Sequence, residues 1–344
     1  MKHLVIAGAG TGKTTLLLKE AVEHCESRNV LYLTYTDQNA REFEKAVTEQ
    51  IGYQPHSITI MTWFSFLLVH GVRPFPARGF SHRIERMLFD QRRPRQIANV
   101  TRENENYYCP EPGVVCRSRL SDLAVLCDQE WEGEVIKRIC GIYDLILVDE
   151  GQDFAGYDYD LLLALMKSCE NMTIVGDPRQ QTYRTNNGQI NSRYPNVFEF
   201  FKQKSSFSLD LDSLSVSYRC SNDIICLANK LFPELPEVVA TKESGDIPGG
   251  RVYKVKRSEF DTWVRSRNST PTILRYDKRT NVPDGYQVMN MGDSKGLTLG
   301  DVAIIPTSDM RKWITGKQVN LSNGARAKLY VAITRASGDL IFLL

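Results

Sequence analysis

Residues 1–15 read MKHLVIAGAGTGKTT: a short apolar run, a glycine-rich loop, and then a helical pattern with no break. No other stretch constrains the fold as tightly. An apolar run of this length, His3–Ala7, is a strand, and a helix entered directly from a strand must cross back over a sheet. The run is too short, and turns too soon into glycines, to serve as a signal peptide. The same rhythm recurs downstream. Strands are expected at Val30–Thr34, Ile58–Met61, Leu145–Val148, Met172–Val175, Arg251–Val255, Thr272–Arg275, Tyr286–Met289, Asp301–Pro306 and Leu340–Leu343, with amphipathic helices such as Thr14–Ser27 and Gln38–Ile51 between them. Alternation of this kind predicts an α/β fold with parallel sheets covered on both faces. Leu145–Val148 is apolar at every position, as a central strand should be.

The loop itself, Ala7-Gly8-Ala9-Gly10-Thr11-Gly12-Lys13-Thr14-Thr15, has the chemistry of a phosphate cradle. Small residues let successive backbone N–H groups curl around phosphate oxygens, and the helix N-terminus adds a positive dipole. Lys13 is placed to reach the β- and γ-phosphates of ATP, and the Thr14 hydroxyl to ligate Mg2+. Ala7 stands where the usual pattern opens with glycine. After the apolar strand Leu145–Val148 comes Asp149-Glu150-Gly151-Gln152-Asp153. Carboxylates at the C-terminal end of a buried parallel strand lie where such sheets bind ligands. Asp149 is the expected magnesium carboxylate and Glu150 the expected general base toward an attacking water.

A length of 344 residues predicts two domains, read here as 1–205 and 206–344. Residues 71–139 break the rhythm and are read as an insert in the first domain. Ser- and Asp-rich Lys204–Ser213 is read as the crossing between domains. Lys and Arg total 43 against 41 Asp and Glu, so any nucleic-acid contact has to be local. The insert offers one: Arg73–Arg102 holds eight arginines, among them Arg92, Arg93 and Arg95, with Phe75, Phe80 and Phe89 interleaved. Such a segment suits a phosphate backbone with stacked bases, an acidic partner protein, or a solvated face. Four of the eight cysteines, Cys109, Cys116, Cys127 and Cys140, fall in the insert and its exit, at spacings that match no zinc pattern. All eight are expected as reduced thiols of a cytoplasmic protein. No stretch approaches about 18 uncharged apolar residues, so no membrane partner is expected. The last residues read as a strand, and no tail is expected.

Taken in order, the motifs resemble those of superfamily 1 DNA helicases of the UvrD/Rep type. The resemblance rests on the phosphate loop, Thr34–Phe43, Thr62-Trp63-Phe64-Ser65-Phe66, DEGQD, the GDPRQQTY stretch Gly176–Tyr183, Tyr218-Arg219, Asp293–Thr298, and Tyr330–Ala336 (YVAITRA). It implies two RecA-like parallel-sheet motor domains with ATP and Mg2+ at the cleft between them, and a small insert in the first. It implies that Gln180 senses the γ-phosphate and the attacking water, that Tyr218 stacks on the base, and that Arg219 and Arg335 reach the γ-phosphate. Arg41 and Gly296 are carried over to the nucleotide, and Thr34, Thr62, Trp63, Phe64 and Tyr183 to single-stranded DNA.

The chain also departs from the family. The family's adenine-reading glutamine has no place upstream of Ala7, from which relaxed base selectivity is expected. Thr185 stands where a base-stacking tryptophan is usual, and Thr298 where a glutamate is usual. Cys220–Gly292 leaves 73 residues where large members insert a whole subdomain, so that subdomain is expected to be missing. The expectation is an ATP-driven helicase or translocase on single-stranded DNA. The alternative is a regulatory NTPase subunit of an antiphage or repair complex that switches a partner such as a nuclease.

Overall fold

The computed structural model describes residues 2–89, 100–182, 190–242, 250–267 and 269–344. Arg92, Arg93, Arg95, Tyr183 and Thr185 therefore lie outside the described residues. The chain divides into two compact units: Met1–Leu4, Thr14–Val175 and Arg184–Leu209 form the first, and Val5–Lys13, Gly176–Tyr183 and Asp210–Leu344 the second.

One six-stranded sheet has the spatial order Ile58–Thr62, Val30–Thr34, Leu145–Val148, Asn171–Gly176, Lys2–Ile6, Leu209–Asp210. The first four strands pair in parallel. Every residue of Val30–Thr34 and Leu145–Val148 is buried, which is why neither strand alternates. Helix Asp37–Ile51 starts where the Thr36 side chain accepts from Asn39 N (3.2 Å) and ends at Gly52, whose φ of +92° needs a residue without Cβ. Its buried Phe43 and Val47, one turn apart, face the sheet, and Phe43 stacks on Tyr32 at 3.6 Å between centroids.

A five-stranded parallel sheet in the second unit has the order Val252–Val255, Leu340–Leu343, Val302–Ile305, Thr272–Arg275, Val288–Asn290. Its strands Val302–Ile305 and Leu340–Leu343 are apolar on both faces for a visible reason. Val302, Ile304, Leu340 and Phe342 pack into one core, while Ala303, Ile305, Ile341 and Leu343 pack into the opposite one. The fold is thus α/β with RecA-like parallel sheets, and each of the ten strands expected from sequence is a strand, to within a residue or two at its ends.

Among the described residues, five further strands were not expected. Leu209–Asp210, inside the stretch read as a crossing, adds an edge strand to the first sheet. Val216–Ser221 pairs with Val239–Lys242, and Arg86–Leu88 with Val114–Cys116, as two-stranded parallel ribbons. All are short or polar, and pairing rather than local pattern decides them. The insert is also better packed than its weak periodicity suggested. Helix Leu120–Glu130 buries Leu120, Leu123, Ala124 and Cys127 completely, an i, i+3, i+4, i+7 stripe.

The cysteine expectation needs correction. Cys140 and Cys169 form a disulfide that joins helix Glu134–Ile142 to the C-cap of helix Asp158–Ser168. Nothing in the spacing of 29 residues announced this pair, which only the packing of the two helices brings together. Cys25, Cys109, Cys116, Cys127 and Cys220 are buried and take no part in a disulfide. Burial pushes the Cys109 and Cys127 thiols up to about 12, so they stay protonated and pack as small hydrophobes. Among the described residues no group of three or more His, Cys, Asp or Glu could hold a metal ion, and no helix is long and apolar enough to cross a membrane.

His70 gives a pH test of this core. Its Nδ1 lies 3.3 Å from Arg138 Nη1 and its Nε2 3.2 Å from Tyr143 Oη. A guanidinium only donates, so Nδ1 accepts and the neutral ring carries its proton on Nε2, donating to Tyr143. Burial, then the Arg138 charge, lowers the His70 pKa from 6.5 to about 4. A lowered folded-state pKa means that the unfolded chain takes up the proton first. Stability is therefore full above pH 6.5 and is lost as the pH falls toward about 4. Urea unfolding at pH 7.0 and 4.5 should show a drop that shrinks by about 1–3 kcal/mol in His70→Gln. Equal drops in both proteins would remove His70 from the acid response.

Candidate nucleotide site

In the second unit, the loop after strand Lys2–Ile6 is folded tightly on itself. Ala7 N donates to Gly176 O (3.0 Å), and Thr11 Oγ1 donates to Gly8 O (3.0 Å). Lys13 Nζ donates to Gly8 O (2.6 Å) and Ala7 O (3.2 Å), which keeps the ammonium over the loop. Two glycines are dictated by close approach. A Cβ on Gly8 would meet Val238 Cγ2 at 2.2 Å, and one on Gly10, already at φ +73°, would meet Arg219 Cβ at 2.6 Å. The small residues therefore serve packing as well as phosphate access. The Ala9 N–H, one of the cradle donors, points to the buried Tyr330 hydroxyl (3.3 Å), and Tyr218 N donates to Gly10 O (2.9 Å).

Three predicted catalytic side chains belong to the same unit. The Asp177 carboxylate, fully buried, accepts from Gln180 Nε2 (2.9 Å). That fixes the amide so that Gln180 Oε1 accepts from Arg335 Nη2 (3.3 Å). Arg335 is only 1% exposed, and it also donates to Val331 O (3.1 Å), Leu297 O (3.0 Å) and Thr334 Oγ1 (3.3 Å). Arg219 Nη1 donates to Thr334 O (3.3 Å), one residue before Arg335. Tyr218 is 62% exposed, open to a stacking partner. Gly296 lies in a turn at φ +87°.

In the first unit the Thr14 hydroxyl donates to Asp149 Oδ2 at 2.9 Å, although 135 residues separate them. Tyr32 Oη donates to the same oxygen (3.0 Å), and Glu150 N donates to Asp149 Oδ1 (2.8 Å). Burial and the Asp149 charge hold the Tyr32 phenol well above its ordinary pKa, so it remains a donor. A hydroxyl and a carboxylate this close are the hard oxygen donors that Mg2+ takes, and the pair fits that ion. Glu150 sits at φ +56°, ψ +41°, a left-handed conformation that costs a non-glycine residue about 1–2 kcal/mol. The turn is held by Asp153 N donating to Glu150 O (2.9 Å) and by Gln152 Nε2 donating to the Glu150 carboxylate. Strain kept at one residue by several bonds is typical of a functional position. Thr15 and Arg41 are exposed on their helices.

The residues carried over to single-stranded DNA divide. Thr62 is partly exposed and caps helix Trp63–Phe66. Thr34 and Trp63 are fully buried, so their side chains cannot meet a strand directly, and Phe64 is 7% exposed. Trp63 is anchored inside the first unit. Its indole N–H donates to buried Asp158 (2.7 Å), which also accepts from Ala155 N (3.1 Å) and Ser121 Oγ. The Trp63 ring meets Phe154 edge-on at 4.9 Å. Asp158 thus ties the segment after DEGQD to TWFSF and to the insert, and burying its charge is offset by these three donors. Sequence reading gave no role to Tyr32 or Asp158, and quoted Asp177 and Tyr330 within motifs without assigning them one. A polar residue inside an otherwise apolar run, as Tyr32 is, was the available signal.

Parallel sheets, a glycine loop ahead of a helix, and a hydroxyl–carboxylate pair at a strand end define a phosphate-loop nucleotide-binding protein. Comparison with known families narrows this. Residues 2–186 match the model described as an AAA domain, and residues 102–344 match the viral superfamily 1 RNA helicase core domain. The chain belongs to the superfamily 1 helicases. It is similar to DNA helicase II of Haemophilus influenzae, with 25% identity over 67% of this chain and 38% of that protein. It is also similar to the ATP-dependent DNA helicase PcrA of Bacillus subtilis, with 23% identity over 67% of this chain and 37% of that one. It therefore spans well under half the length of these relatives. Two solved structures of the arterivirus nonstructural protein 10 helicase, one in complex with DNA, share the fold at a TM-score of 0.51 and 13% identity. They cover 99% of this chain, and it spans 59% and 60% of theirs.

Proposed function

We propose that this chain hydrolyses ATP and uses the cycle to move along single-stranded DNA. The observation that carries the reading is the Arg335–Gln180 bond in the unit that also holds the phosphate loop. It supports a cation and an amide set together for the γ-phosphate, as the family's motifs imply. Lys13 and the loop N–H groups bind the phosphates, Glu150 takes the proton of the attacking water, and Arg219 and Arg335 offset charge that builds on the γ-phosphate. Thr14 and Asp149 would hold Mg2+, which would neutralise charge on the phosphate oxygens. DNA as the track is supported by the two DNA helicases the chain resembles. Between Cys220 and Gly292 the described residues are spent on helices Asn222–Asn229 and Phe260–Arg265 and on strands of two sheets. That supports a motor with a reduced duplex-splitting apparatus, a translocase or a partner-assisted helicase.

The test is ATP turnover with and without a long oligothymidylate, with Lys13→Ala as the blank. We expect stimulation of at least about tenfold, and loss of turnover in Lys13→Ala. Lys13-dependent hydrolysis that ignores the strand would favour the regulatory NTPase instead.

A further inference from the structure

Two parallel strand pairs of the first unit end with aromatic or cationic residues next in line. In the main sheet Thr34 pairs with Thr62; Tyr35 follows directly on one side, and Phe64 comes two residues on at the other, past Trp63. In the insert ribbon Leu88 pairs with Cys116, and Phe89 and Arg117 follow side by side. These four side chains form one ladder. Tyr35 and Phe64 lie 5.7 Å apart, the Arg117 guanidinium is 5.3 Å from the Phe64 centroid, and it is 5.9 Å from the Phe89 centroid. The near end is packed, with Phe64 at 7% exposure, while at the far end Phe89 is 67% exposed. The other aromatics of the arginine-rich segment are engaged: Phe75 lies on Trp131 (5.5 Å) and Phe80 on Tyr108 (5.8 Å). An open phenyl ring flanked by a guanidinium has the features that take an unpaired base and its phosphate. The ring stacks, and the cation meets the backbone.

We propose that Phe89, backed by Arg117, is a stacking platform for one unpaired nucleobase, carrying the strand from the sheet edge onto the insert. This rests on the single-strand reading above and adds a site that the chain's helicase motifs do not contain. It would supply an aromatic platform where Thr185 replaces the usual tryptophan.

The test is a fluorescence-anisotropy titration of a labelled oligothymidylate 20-mer with the full chain, repeated across salt concentrations. Phe89→Ala should weaken binding about 5- to 100-fold, the range of one lost stack, with the salt slope unchanged because no charge is removed. Phe89→Trp should restore affinity. Arg117→Ala should weaken binding and reduce the slope of log affinity against log salt by about 0.7, one phosphate contact on a single strand. A wild type that binds while Phe89→Ala stays within about twofold of it would overturn the platform and leave the motor reading standing. A weakened Phe89→Ala with a flattened slope would also overturn it, since charge contacts, not stacking, would then have been lost. A wild type that binds no oligonucleotide would overturn both.

Discussion

Replacing Arg335 with lysine is expected to cut ATP turnover by at least about 100-fold, and with alanine by about 10³-fold or more, the range of a lost γ-phosphate arginine. The distinction follows from the bonds it makes. Arg335 serves Gln180, Leu297 O and Val331 O at once from a site that is 1% exposed. Lysine keeps the charge but has no planar fork to reach all three. Alanine also removes the bond to the part-buried Leu297 O and one of the two bonds to Val331 O, which keeps the Thr334 hydroxyl, so its melting temperature must be read alongside its rate. Single-turnover hydrolysis at saturating ATP, with thermal melts of both variants, makes the check. A folded lysine variant within tenfold of wild type would take Arg335 out of the reaction.

Glu150→Gln should keep nucleotide affinity and lose at least about 100-fold in turnover. Glutamine matches the shape and cannot accept the proton, while its amide oxygen can still receive the Gln152 bond. The backbone at φ +56° is imposed on either side chain, so stability should hardly change. Measuring fluorescent-nucleotide binding beside steady-state hydrolysis separates the two effects. Turnover near that of wild type would remove Glu150 as the base. Weakened binding with normal chemistry would instead place it on the nucleotide.

Where local pattern and burial agree, the fold was legible. Leu145–Val148 and Leu340–Leu343 are apolar at every position and are buried on both faces. The glycine loop, DEGQD and YVAITRA were legible as chemistry because each needs particular residues within a few positions. Helix Leu120–Glu130 was legible in principle, but flanking polar and arginine-rich segments masked its stripe. The ribbons Arg86–Leu88 with Val114–Cys116 and Val216–Ser221 with Val239–Lys242 were not legible, since such three- to six-residue strands are made by their partners.

The sequence by itself determined the parallel α/β plan, the phosphate loop, the carboxylate pair and the family. These depend on hydrophobic period and on residue types held at short range, both written along the chain. Only the tertiary structure decided which of the candidate residues meet and which are buried. It set Thr14 against Asp149 across 135 residues and Arg335 against Gln180 across 155. It turned Trp63 inward onto Asp158 and left Phe89 facing solvent. It also paired Cys140 with Cys169. The physical reason is the same in each case. Burial and the direction of a side chain follow from which distant segments pack together, and chain spacing carries no record of that packing.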